Sequence, residues 1–70
     1  MIVSVYKTTL KENEPLTWLA SEFAALPFIA NWNVDFEDCD KILRVVSTSL
    51  LTEKIIAIVT QRGYDCIELD

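Results

Sequence analysis

The chain has 70 residues, 51% of them hydrophobic and 24% charged, with a net charge of −5. That length holds one core, since a domain of this size buries only about 60% of the surface its unfolded chain exposes, and the apolar share excludes a disordered chain. With no His the commonest general base and metal ligand is absent, one Gly cannot build a phosphate-cradling loop, and two Cys cannot form a disulfide framework or a four-thiolate zinc site.

The basic residues Lys7, Lys11, Lys41, Arg44, Lys54 and Arg62 are scattered among eleven acids. They form no stripe to neutralise phosphates, so neither nucleic acid nor an anionic membrane is an expected partner. No apolar run approaches the roughly 20 residues that span a bilayer. Residues 1 to 9 lack the charged start and small-residue cleavage site of a signal peptide. The expectation is one cytoplasmic domain over residues 1–70 with reduced thiols.

Residues 2 to 8, rich in β-branched and aromatic types, predict a strand. Asn13 is placed to cap a helix with Glu14 and Pro15 in its first turn. Leu16, Leu19, Ala20, Phe23 and Leu26 form its apolar stripe, and Pro27 ends it. Over residues 28 to 37, Phe28, Ala30, Trp32, Val34 and Phe36 alternate with Ile29, Asn31, Asn33, Asp35 and Glu37, which predicts a strand with one buried face. A polar turn at Asp38, Cys39 and Asp40 leads into a strand over residues 41 to 47, completing a hairpin that has no Asn-Gly or Asp-Gly to set its turn.

Thr48 or Ser49 then caps a second helix with an inner stripe of Leu51, Ile55, Ile58, Val59 and Arg62. Gly63 terminates it, and residues 64 to 69 form the last strand. The order β-α-β-β-α-β predicts an α+β, ferredoxin-like fold: a four-stranded antiparallel sheet, first and last strands adjacent, both helices on one face.

Three stretches, Val34-Asp35-Phe36-Glu37, Lys41-Ile42-Leu43-Arg44-Val45, and residues 55 to 65 ending in Gly63-Tyr64-Asp65, carry a family likeness. Through them the chain resembles the heavy-metal-associated domain family, the small copper chaperones and the N-terminal modules of copper-transporting ATPases. The resemblance implies a Met-x-Cys-x-x-Cys loop after the first strand, whose two thiolates hold Cu(I). The matching segment here is Thr8-Thr9-Leu10-Lys11-Glu12-Asn13, with Leu10 and Asn13 where the thiols would stand. Neither side chain binds Cu(I) as a thiolate does, so the family's metal chemistry is expected to be missing, and no cofactor is expected.

The residual metal candidates are Cys39 and Cys66. The strand order sets them some 10 to 15 Å apart, too far for a disulfide or a shared ion. Cys66 then reads as a small core residue and Cys39 as a turn residue. The acids Asp35, Glu37, Asp38 and Asp40 lack the Gly and distal Glu of a calcium loop and read as Asx-type turn residues. No Ser has a His partner and Lys7 has no activating neighbour, so no enzyme is expected. Trp18 and Ile56 fall off the inner helical stripes.

The open sheet face is expected to show Ile2, Tyr6, Ile42 and Val46, joined by Ile67 and Leu69. The leading expectation is therefore a protein-interaction or self-association module using this face or an edge strand. The alternative is soft-metal binding or trafficking through Cys39 or Cys66 within an oligomer.

Overall fold

A computed structural model describes every residue of the chain except Asn13, Asp38 and Asp70. Its elements are β1 (Ile2–Thr8), α1 (Thr17–Ala24), β2 (Ile29–Asp35), β3 (Ile42–Ser47), α2 (Thr52–Gln61) and β4 (Cys66–Leu69). The strands form one sheet in the order β2-β3-β1-β4, with every neighbouring pair antiparallel. This is the ferredoxin-like α+β arrangement predicted from the element order. No helix among the described residues is long and apolar enough to cross a membrane.

The core fixes which sheet face is covered. Tyr6, Leu43, Val45 and Cys66 from the strands pack with Leu19 and Phe23 of α1, Ile55 and Val59 of α2, and Leu10 of the loop between β1 and α1. Tyr6 lies opposite Leu43, and Val34 opposite Leu43 on its other side, so these residues share one face. Burying each large apolar side chain stabilises the fold by about 1.5–3 kcal/mol. Phe23 meets Trp32 edge to face at 5.3 Å, which ties α1 to the edge strand β2.

Tyr6 is therefore not on the open face: it is fully buried, and Ser4 and Thr8 are buried on the same side. The phase of β1 goes with the packing of Tyr6 in the core and with the polar partners of Tyr6 and Thr8. The Tyr6 hydroxyl donates to Thr52 Oγ1 at 3.5 Å, and Thr8 Oγ1 donates to the Lys41 carbonyl at 2.6 Å. Ile2, two residues before Ser4, shares the helix-covered side. Val3 and Val5 take the open side instead.

Other boundaries shift for local reasons. β2 carries an irregularity between Ile29 and Asn31, so Ile29 is half-buried while Ala30 is exposed, reversing the predicted alternation there. α1 begins at Thr17 with Leu16 at the N-cap and no side-chain cap. Glu14, predicted in its first turn, is engaged by Tyr64 instead; the predicted cap, Asn13, lies outside the described residues. α2 begins after Leu51, again without a side-chain cap, so neither Thr48 nor Ser49 caps it. Gly63 adopts φ +89°, the left-handed conformation expected just past a helix end.

Candidate functional site

The segment that resembles the copper loop runs from the end of β1. Leu10 is only 1% exposed and belongs to the core, so its side chain is structural. The loop around it is sewn to both neighbouring strand ends. The Thr8 and Thr9 N–H groups donate to the carbonyls of Asp40 and Asp65, and the Asp65 N–H donates to Thr9 Oγ1 at 2.8 Å. Asn13, the second matching position, is outside the described residues.

Cys39 is exposed and Cys66 buried, and both are free thiols. Cys66 sits opposite Thr8 on β4, while Asp40, next to Cys39, bonds Thr8 from the other side. β1 thus runs between the two cysteines. Burial pushes the Cys66 thiol up to about 11, which keeps it protonated and a poor metal ligand at neutral pH. Cys39 borders a groove of about 600 Å³ with Thr8, Leu10, Lys11 and Lys41. Among the described residues, no three His, Cys, Asp or Glu side chains are grouped to hold a metal ion.

The acidic hairpin carries turn chemistry. Asp35 Oδ1 accepts the Glu37 N–H at 3.0 Å, and Asp40 pairs with Lys7 at 3.5 Å. Lys41 supplies the left-handed residue that an Asn-Gly turn would have provided: its φ is +47°, and its ammonium donates to the Phe36 carbonyl at 3.3 Å. Asp38 lies outside the described residues.

Trp18, off the predicted stripe, is partly buried all the same. Its ring stacks on Tyr64 with centroids 5.7 Å apart, and the Arg62 guanidinium lies 5.0 Å from its centroid. The Tyr64 hydroxyl donates to Glu14, whose carboxylate holds that phenol above its ordinary range. Arg62 therefore covers Trp18 rather than joining the inner stripe of α2. Ile56 packs against the core from its margin.

The surface left over is the helix-free side of the sheet. It presents Val3 and Val5 from β1, Ile42, Arg44 and Val46 from β3, and Ile67 and Leu69 from β4. Val3 lies opposite Val46 and Val5 opposite Leu69. Val3 is 57% exposed, Ile67 60% and Leu69 38%. Asn31, Asn33 and Asp35 of β2 make the polar border. Of the six residues predicted for this face, Ile42, Val46, Ile67 and Leu69 are on it, and Ile2 and Tyr6 are not. Val3 and Val5 were missed because an apolar β1 residue is expected inward unless the polar partners of Tyr6 and Thr8 are known.

The sheet edges offer less. β4 is four residues long. On β2 the Trp32 N–H is taken by Asn31 Oδ1 at 2.9 Å, which blunts that edge as a template for a further strand. No family model, curated protein or solved structure matches the chain.

Proposed function

We propose that this chain is a non-enzymatic interaction module whose contact surface is the helix-free face of the sheet. The observation that carries the reading is the aliphatic cluster of exposed Val3, Ile67 and Leu69 with half-buried Val5 and Val46, on a sheet whose other face packs against the helices. Contiguous apolar patches on small domains commonly mark interaction sites. The blunted edge of β2 and the shortness of β4 favour the face over strand addition. Kinship with the heavy-metal-associated domains is part of this proposal, supported by the element order and the Gly63-Tyr64-Asp65 turn before β4. Metal handling is not, because Leu10 serves the core and the Cys66 thiol is buried.

The test is a Val3→Asp, Ile67→Asp double variant, with Glu22→Lys on α1 as control. The double variant should fold with a stability change below about 1 kcal/mol, as suits exposed positions, and lose the partner or second copy that the native chain holds. Retention of the same contact by the double variant contradicts the proposal, as does a native chain that stays monomeric at high concentration and recovers no partner.

A further inference from the structure

We propose that the occupant of the helix-free face is a different polypeptide presenting a carboxylate among aliphatic side chains, and that Arg44 is the residue that reads the carboxylate. This rests on the reading of that face as the contact surface. Arg44 lies near the middle of the face, with Ile42 and Val46 two residues away on its own strand, Val5 opposite on β1 and Asn33 opposite on β2. It is exposed, and neither ion pair among the described residues, Lys7–Asp40 and Lys11–Glu14, involves it. Whatever covers the aliphatic cluster therefore covers a guanidinium too. Burying that charge without a counter-charge is strongly unfavourable, whereas a carboxylate meets it with two parallel hydrogen bonds.

A second copy of the chain does not fit this requirement. On the strands of this face the one described carboxylate is Asp35, opposite Ile42 on the edge strand, one strand across and one step along from Arg44. With strands about 4.8 Å apart, a two-fold axis that lays Arg44 over the copy's Asp35 must cross the β2–β3 corner. That operation carries Val3, Val5 and Leu69 past the hairpin end of the copy's sheet. Centring the axis on the aliphatic cluster instead leaves both Arg44 residues unpaired. Ion pair and apolar contact cannot both form between copies. Lys7 on the same face is already met by Asp40, so Arg44 is the basic residue of this face outside the ion pairs of the described residues.

The experiment titrates the isotope-labelled full chain with two synthetic helical peptides of one leucine-bearing design, one with glutamate beside the leucines and one with glutamine. Both should shift the amide signals of Val3, Val5, Arg44 and Val46. The glutamate peptide should bind about tenfold more tightly, the worth of a charged hydrogen-bonded pair, and Arg44→Gln should erase that preference while leaving the fold intact. Equal affinities, a preference that survives Arg44→Gln, or no shift with either peptide overturns the carboxylate inference. Equal binding at this face leaves the contact surface standing, whereas shifts confined to the helices contradict both.

Discussion

Ser4 shows how little separates the two faces of β1. Its hydroxyl is buried with no hydrogen-bond partner among the described residues, while Val3 and Val5 on either side turn to the open face. An unpaired buried hydroxyl costs more than the methyl that would replace it. Ser4→Ala should therefore leave the fold unchanged or stabilise it by up to about 1 kcal/mol in urea unfolding; a loss of that size would show that the hydroxyl has a partner after all. Cys66 gives a second test at this scale. Its folded-state pKa of about 11 lies above the unfolded value near 8.5. The folded chain keeps a proton that the unfolded chain releases, so this contribution to stability is complete below pH 8.5 and is lost as pH rises towards 11. Iodoacetamide at pH 8 should label Cys39 and spare Cys66 until urea is added. Equal labelling of both in the native chain would place Cys66 at the surface.

Among the elements, the helices and β3 were legible because each has a single strong pattern: the stripe of Leu19 and Phe23, that of Ile55 and Val59, and the inward Leu43 and Val45. β1 was not, because Ile2-Val3-Ser4-Val5-Tyr6 is acceptable in either phase, and a slip of one residue exchanges the faces. The deciding partners, Thr52 for Tyr6 and Lys41 for Thr8, are 46 and 33 residues away. The start of α1 was misplaced for a related reason: Glu14 and Thr9 are held by Tyr64 and Asp65, and the helix begins only after Leu16. The end of α2 was legible from Gly63 alone. A Cβ there meets nothing within 4 Å, yet φ is +89°. Gly63→Ala should cost about 1 kcal/mol through backbone strain alone, measured by urea unfolding, and a cost near zero would mean the turn relaxes.

For the whole molecule, the consequence of the β1 phase is the make-up of the helix-free face. Placing Tyr6, Thr8 and Ser4 under the helices sends Val3 and Val5 outward, where they join Val46, Leu69 and Ile67 around Arg44. Ile42, Val46, Ile67 and Leu69 of the candidate surface could be read from the sequence; Val3 and Val5 needed the cross-sheet partners. The copper-loop position shows the same logic in reverse. Leu10 is buried as part of the core, and Thr8 and Thr9 tie the loop to both flanking strand ends, so this loop serves the fold.

The most direct measurement places a photo-crosslinking residue at Val3 or Ile67 on the helix-free face, and at Glu22 on the exposed side of α1, in the native cell. A common adduct from Val3 and Ile67 is expected, weakened by Arg44→Gln, and none from Glu22. An adduct from Glu22 with none from the two sheet positions would contradict it.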